Sequence, residues 1–341
     1  MSGPGEATFR ESEIRPDHLM GGQAEAAGAD ADWLMQHSGS FVPVPCPACG
    51  SWMASEAFEK SGLVYEICSD CGTMYINPRP GPELLEEYYA RSEGYRYWNE
   101  HIFPASEGAR RDKIFRPRAR RIADICRRNN IDNGVLLEVG AGFGTFCEEA
   151  LRLGTFCRVI AVEPVPDLAE TCRRRGLEVI EEPIEQVRLE QGTVDVIASF
   201  EVIEHLFSPR NFLRQCADIL LPGGLLVVTC PSAKGFDVVV LRDLTSTVGA
   251  EHLNYFHPAS LSRLVGGCGF ETLEVITPGK LDAELVRKAI LLGKLDVSSQ
   301  PFLGQVLVEE WGRIGDSFQR FLSDNLLSSH MWLVARKIDY C

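Results

Sequence analysis

Residues 137–144 read Leu-Glu-Val-Gly-Ala-Gly-Phe-Gly. An apolar run ends on an acid, Glu138, and three glycines then alternate at Gly140, Gly142 and Gly144. Alternating glycines let a backbone turn sharply and come close to a ligand, because no Cβ stands in the way. A glycine loop between a strand and a helix is the general form of a nucleotide-binding turn. A dinucleotide fold asks for G-x-G-x-x-G, which offers helix amides to a pyrophosphate. Here the third glycine comes one residue early, and a carboxylate stands two residues before the first. That carboxylate would repel a pyrophosphate and suit the ammonium of a bound amino acid.

Outward from this loop, short apolar runs alternate with amphipathic stretches, the pattern of a parallel sheet covered by helices. Strands are expected at 135–139, 158–163, 177–180, 194–200, 224–230 and 270–277. A seventh is expected at 331–337, after a helical insertion at about 282–327 that would cover a substrate site or form a dimer contact. Residues 1–40, rich in Gly, Ala, Glu and Asp, read as a mobile tail with a short helix near Asp32–Gln36. Residues 81–130 read as a helical lead-in or lid, rich in aromatics and arginine.

The chain has 341 residues, 45% hydrophobic and 24% charged, values of an ordinary globular protein. No apolar run approaches the roughly 20 residues that span a bilayer. The start lacks a basic region followed by an apolar core, so the cytoplasm is the expected compartment. A net charge of −14 argues against a broad nucleic-acid surface. Eight of the 12 cysteines (Cys126, Cys147, Cys157, Cys172, Cys216, Cys230, Cys268 and Cys341) are scattered, mostly in apolar contexts, and most of these read as small buried hydrophobes.

The other four, Cys46, Cys49, Cys68 and Cys71, form C-x-x-C, an eighteen-residue gap, and C-x-x-C. Two residues between thiolates let both point at one ion, and Pro47, Gly50 and Gly72 suit the turns around it. The spacing predicts a four-thiolate, structural Zn2+ ribbon over 41–80. Its Glu56, Glu59, Glu66 and Asp70 make it a poor phosphate binder.

The glycine loop resembles motif I of the class I S-adenosylmethionine (SAM) methyltransferases. The stretch S-F-E-V-I-E-H-L-F-S-P-R-N-F-L from Ser199, followed by L-P-G-G-L-L-V-V-T, is similar to the ubiquinone-biosynthesis-type O-methyltransferases and their bacterial relatives. The ribbon followed by Asn77-Pro78-Arg79-Pro80 and by Tyr88, Tyr89, Tyr95, Tyr97 and Trp98 looks like a bacterial subgroup whose members often modify sugars or specialised metabolites. The resemblance, over roughly 110–275, implies an α/β, Rossmann-like seven-stranded sheet of order 3-2-1-4-5-7-6, within a SAM-binding domain at 131–341. It implies SAM bound by Glu138, Gly140, Ala141, Gly142 and Gly144, by Glu163 on the ribose hydroxyls, by Ile184 and Glu185 near the adenine, and by Phe200.

The implied reaction is methyl transfer to a small acceptor, a saccharide or related metabolite, with O-methylation leading. A hydroxyl needs a base, and the candidates are His252 first, then His205 and Glu201, with His257 read as a helix cap. Glu251, beside His252, is a candidate to raise its basicity. The segment Glu251-His252-Leu253-Asn254-Tyr255-Phe256 is also similar to deoxysugar C-methyltransferases, although Gly249 stands where those enzymes place a tyrosine. C-methylation of a ketosugar is therefore the alternative, with RNA methylation or a non-catalytic SAM-binding subunit behind it. The basic run Arg110, Arg111, Lys113, Arg116, Arg118, Arg120 and Arg121 reads as a solvated helix face or as an anion site for a phosphorylated acceptor.

Overall fold

The computed structural model describes residues 10–338, so Cys341 and the first nine residues lie outside it. Its strands are β1 (Ala54–Lys60), β2 (Leu63–Cys68), β3 (Met74–Ile76), β4 (Val135–Val139), β5 (Arg158–Val162), β6 (Glu178–Ile180), β7 (Val194–Phe200), β8 (Leu220–Pro231), β9 (Asn254–Tyr255), β10 (Phe270–Ile276) and β11 (His330–Lys337). Seven form one sheet in the order β10-β11-β8-β7-β4-β5-β6. β4, β5, β6, β7 and β8 run parallel, and β11 lies antiparallel between β8 and β10. This is the order expected from the resemblance.

The central strands β4, β5, β7 and β8 read as largely apolar runs because they are buried on both faces. Leu137, Val139, Ile160, Val162, Ile197 and Val228 enter one core, together with Phe212 and Leu213 of the helix Pro209–Ile219. Their neighbours Leu136, Val159, Ala161, Val196 and Val227 enter the other, with Ile122 and Phe146 of the helices Arg116–Arg128 and Thr145–Arg152. Alternation with period two thus survives within runs that are wholly hydrophobic.

β1, β2 and β3 make a second, antiparallel sheet, and its fourth strand comes from far away in sequence. β9 pairs with β3, placing Tyr255 opposite Met74 and Asn254 opposite Tyr75. The ribbon is therefore joined to the segment that follows β8 and is not a free-standing module.

The N-terminal region departs from the mobile tail expected over 1–40. Met20–Gln36 is a 17-residue helix with Ala26, Asp30, Ala31 and Leu34 buried. Asp30 accepts hydrogen bonds from Ser92 Oγ (2.6 Å) and from the backbone N–H of Glu93 (2.8 Å) and Gly94 (2.9 Å), capping the helix Glu93–Tyr97. Further along, the helices Asp282–Leu291 and Trp311–Asp324 pack around their own core of Ala283, Val286, Leu307 and Leu322. Among the described residues no helix is long and apolar enough to cross a membrane.

Candidate functional site

The C-terminal ends of β4, β5 and β7 share one edge of the sheet, where open α/β folds bind ligands. The N–H groups of Gly140 and Ala141 donate to the carbonyl of Val162 (2.9 and 3.2 Å), which pins the loop to β5. Gly140, Gly142 and Gly144 have φ of +76°, +56° and +70°, which side chains resist. A Cβ on Gly140 would meet Val202 at 2.5 Å, and one on Gly144 would meet Leu177 at 2.5 Å. Gly142 has no neighbour within 4 Å of that position, so the loop faces open space there.

Glu163 closes the far side of this opening. Its carboxylate accepts from the N–H of Gly142 (2.7 Å) and of Val165 (3.0 Å). Glu138 is buried below the loop and accepts from Cys147 Sγ (3.0 Å). Burial raises the Glu138 carboxyl to about 8 and that of Glu163 to about 7, outweighing the hydrogen bonds that favour their ionised forms. Phe143 stacks on Phe103 at 3.8 Å, so the lead-in helices cover the loop. Phe200 ends β7 with the Arg118 guanidinium 4.6 Å above its ring. Ile184 is buried in the core that contains Val162 and Val187, while Glu185 is exposed.

A second group of residues lies just past β7. Glu201 holds φ +56°, a rare conformation outside glycine. Its Oε1 accepts from Thr229 Oγ1 (2.6 Å) and faces Arg118 Nη2 (3.5 Å) and His330 Nδ1 (3.4 Å). Burial would raise its pKa, but His330, Arg118 and Thr229 prevail and lower it. Glu201 is thus already engaged as an acceptor.

His205 Nδ1 lies 2.7 Å from the carbonyl of Glu251, and His252 Nδ1 lies 2.8 Å from the carbonyl of Thr247. Each carbonyl can only accept, so each Nδ1 carries a proton, and the neutral ring keeps its lone pair on Nε2. The rings sit edge to face, 4.7 Å between centroids. Burial, with His252 adding to it, depresses the His205 pKa to about 3. Glu251 reaches His205 through its carbonyl; it is Thr247 that orients His252. Tyr95 Oη lies 3.4 Å from His205 Nδ1, and Tyr89 Oη donates to the His205 carbonyl at 3.3 Å. The tyrosine-rich lead-in therefore reaches this pocket.

Glu204 was not singled out from sequence. It is fully buried, and neither carboxylate oxygen has a hydrogen-bond partner. Burial, and then the charge of Glu201, push its pKa well up. Its place three residues after Glu201 and beside His205 was the available signal. Its backbone is held firmly: the N–H groups of Leu253 and Asn254 donate to its carbonyl (2.9 and 3.0 Å). Asn254 Nδ2 donates to the carbonyl of Leu206 (2.8 Å), and Arg79 donates to Asn254 Oδ1 (2.8 Å) and to the carbonyl of Phe207 (3.1 Å).

The four ribbon cysteines converge. Cys46 and Cys71 Sγ are 3.5 Å apart, as are Cys49 and Cys68, and all four sulfurs lie within 4.8 Å of one another. A tetrahedral zinc with bonds of about 2.3 Å places its sulfurs about 3.8 Å apart, so the donor set fits that ion. Gly50 and Gly72, at φ +79° and +73°, donate to the carbonyls of Cys46 (2.8 Å) and Cys68 (2.9 Å), forming two like turns. His257 is the N-cap residue of the helix Pro258–Gly266, and its Nε2 also meets the Cys71 carbonyl at 2.7 Å.

Most of the basic run is taken up within the fold, Arg120 being the member without an acidic partner among the ion pairs of the described residues. Arg111 pairs with Glu107, Glu148 and Glu149, Lys113 with Glu13, Arg116 with Asp112 and Glu149, Arg118 with Glu201, and Arg121 with Glu274. Arg110 donates to the Ile14 carbonyl and stacks on Trp98. Acidic partners from several elements consume the charge that one-dimensional spacing left open.

A family profile described as a methyltransferase domain matches residues 110–275. Among curated proteins, the chain is similar to ubiquinone biosynthesis O-methyltransferases. That of a Caulobacter species is 41% identical over 98 residues, covering 27% of this chain and 39% of the relative. That of Xanthomonas euvesicatoria is 27% identical over 169 residues, covering 46% and 70%, and that of Caulobacter vibrioides 28% over 201 residues, covering 57% and 72%. The chain thus spans about two fifths of the first relative's length and about seven tenths of the other two. A solved structure of Burkholderia thailandensis 1,6-didemethyltoxoflavin-N1-methyltransferase superposes with a TM-score of 0.45 at 14% identity, over 84% of this chain and all of that one.

Proposed function

We propose that this chain, which carries a class I SAM-dependent methyltransferase domain across residues 110–275, methylates a hydroxyl of a small polyhydroxylated acceptor. The observation that carries the reading is the meeting of two half-sites at the end of β7. The glycine loop with Glu138 and Glu163 lies on one side, and the imidazoles of His205 and His252 lie on the other. Arg118 links them: it pairs with Glu201 and its charge also acts on Glu138 of the first and Glu204 of the second.

SAM, when bound, supplies a sulfonium methyl for in-line displacement. Glu138 suits its ammonium, Glu163 its ribose hydroxyls, and Gly142 leaves room for the backbone to approach. An acceptor hydroxyl must lose its proton as the new bond forms. The lone pairs of His205 and His252 are where this pocket can meet that need. A saccharide or related metabolite suits the ribbon-bearing subgroup that the chain resembles. The names of the curated relatives favour a second reading, an acceptor like those of ubiquinone biosynthesis. We read residues 41–80 as a zinc-holding brace and 81–130 as the cover of both half-sites.

The test is methyl transfer from labelled SAM to nucleotide sugars, free saccharides and ring-hydroxylated acceptors, with product NMR. A new O-methyl resonance supports the reading and names the position. A methyl on carbon would replace it with ketosugar C-methylation, and SAM binding without transfer to any of these would favour a polymeric acceptor or a non-catalytic subunit.

Two expectations concern the cofactor alone. Loss of a hydrogen bond to a charged group costs about 1.5–3 kcal/mol, so Glu163→Ala weakens SAM binding roughly tenfold or more. Unchanged affinity by calorimetry would remove Glu163 from the site. Because the ligand-free fold raises both carboxyls, their contribution to stability is complete below the ordinary glutamate range and is lost as pH rises through 7 and 8. SAM prefers both as carboxylates, so its binding below pH 7 releases protons and tightens toward pH 8. Calorimetry in buffers of different ionisation enthalpy reads that release directly, and a pH-independent affinity without proton release would contradict it.

A further inference from the structure

We propose that Asp237 and Asp282 share one proton, carried by Asp237, and that Asp237 in this neutral form is a positioning residue that holds Thr247 and, through it, the His252 imidazole. The inference rests on the reading that an acceptor hydroxyl is methylated beside His252. Asp237 lies in the helix Phe236–Leu241, just after β8, and Asp282 opens the helix Asp282–Leu291 of the insertion. Both side chains are sealed from solvent, at 0% and 1% exposure, and the two carboxyl groups are within hydrogen-bonding reach of each other. Two buried carboxylates in contact do not both stay ionised, because nothing in a dry interior screens their repulsion.

The hydrogen bonds say which of the two keeps its charge. Asp282 is surrounded by donors: Gln319 Nε2 (2.8 Å) and Ser328 Oγ (2.6 Å) donate to its Oδ2, and the Ser329 N–H donates to its Oδ1. A carboxylate that accepts three such bonds is stabilised in its ionised form. Asp237 has a different environment. Its Oδ2 accepts from Thr245 Oγ1 (3.4 Å) and Thr247 Oγ1 (3.3 Å), while its Oδ1 has no hydrogen-bond partner among the described residues. A buried polar oxygen without a partner is rare. A proton on Oδ1 resolves it, because that oxygen then donates to Asp282, which has a lone pair to spare. Burial first, and then the Asp282 charge, push the Asp237 carboxyl up to about 6, against the hydroxyls of Ser329 and Thr247. His330, the imidazole near Asp282, is turned toward Glu201 and its pKa is lowered by burial, so it brings the pair no cation.

The proton matters for the acceptor pocket because of what Asp237 touches. Thr247 gives its hydroxyl to Asp237, and its carbonyl accepts from His252 Nδ1 (2.8 Å) and Tyr255 Oη (3.3 Å). The Thr247 N–H donates to Thr245 Oγ1 (3.2 Å), the second hydroxyl on Asp237. The ribbon grips the same loop, as Lys60 of β1 donates to the carbonyls of Thr245 (2.7 Å) and Val248 (2.6 Å). Asp237 thus ties the insertion, through Asp282 and Gln319, to the loop that orients His252. Ionisation of Asp237 sets two charges in contact and drives the helix Asp282–Leu291 away from that loop. Because the folded state raises this carboxyl, its stabilising contribution is complete below the ordinary aspartate range and is lost as pH rises through about 6.

The test compares Asp237→Asn, Asp282→Asn and Asp237→Ala in the full chain. An amide at 237 donates to Asp282 and accepts from both threonines at any pH. Asp237→Asn is therefore expected to melt with the wild type at about pH 5 and at least about 2 °C above it at about pH 8. An amide at 282 sets its own donor against Ser328 and Gln319 or against the Ser329 N–H, so Asp282→Asn is expected to melt below the wild type at both. Infrared difference spectra of wild type against Asp237→Asn are expected to show one protonated carboxyl that fades as pH rises through about 6. In methyl transfer, Asp237→Ala is expected to lower kcat about tenfold or more with little change in KM for SAM, and Asp237→Asn to recover most of that loss. Equal melting of Asp237→Asn and wild type at about pH 8, or equal losses in the two asparagine variants, overturns the shared proton. Normal kcat in a folded Asp237→Ala overturns the positioning role. A wild type that binds SAM and methylates nothing would instead sink the reading of the pocket, which the melting and infrared results do not depend on.

Discussion

His252→Ala is expected to leave SAM affinity unchanged and to lower methyl transfer by about 10²–10⁴-fold, the usual scale for proton-transfer assistance. The separation follows from the architecture. SAM contacts are assigned to the loop after β4 and the end of β5, whereas His252 is held by Thr247 in the segment after β8. The ring is partly buried and packs against His205 and Tyr255, so circular dichroism of the variant establishes that the fold survives before activity is read. Calorimetry for SAM and single-turnover methyl transfer check the two halves separately. Full activity would shift the role to His205, whose ring lies 4.7 Å away.

On the proposed reading of residues 41–80 as a zinc-holding brace, Cys49→Ser is expected to lose the ion, lower the melting temperature and reduce kcat/KM at least tenfold with little change in SAM affinity. Four-thiolate zinc sites bind with on the order of 10 kcal/mol, and that energy is folding energy for the structure around them. The path to the acceptor pocket is explicit. β3 pairs with β9, Arg79 holds Asn254, and Asn254 together with the Leu253 N–H holds the turn containing Glu204 and His205. A displacement of about 1 Å in such a turn can cost 10²-fold in rate. A colorimetric zinc assay and steady-state kinetics on one sample provide the check. Complete zinc loss with full methyl transfer would show that the ribbon braces nothing.

The sheet was legible because its central strands β4, β5, β7 and β8 are buried on both faces, and an apolar run between turn residues says so directly. The order 3-2-1-4-5-7-6 came from resemblance, and the β4–β7 and β8–β11–β10 pairings agree with it. The glycine loop and the cysteine pairs were legible because their chemistry lies within a few consecutive residues. The helix Met20–Gln36 was missed because its buried positions are mostly small, Ala26 and Ala31 beside Asp30, and its partner lies some sixty residues downstream. The same separation hid the ion pairs of the basic run, since Arg111 finds Glu149 across two helices. Glu204 was overlooked for a different reason: a glutamate reads as solvated until the fold shows it sealed under the turn.

The pairing of β3 with β9 also sets an order of events during synthesis. Met74, Tyr75 and Ile76 are all buried in the finished protein, and β9 covers one side of the strand they form. A ribosome releases them long before it reaches Asn254. Until then the ribbon presents an unpaired apolar edge, the feature that invites pairing with another chain. A nascent or truncated chain ending before Asn254 would therefore be the sticky species in a cell. The protein's exposure to chaperones is greatest while its seven-stranded sheet is still being made.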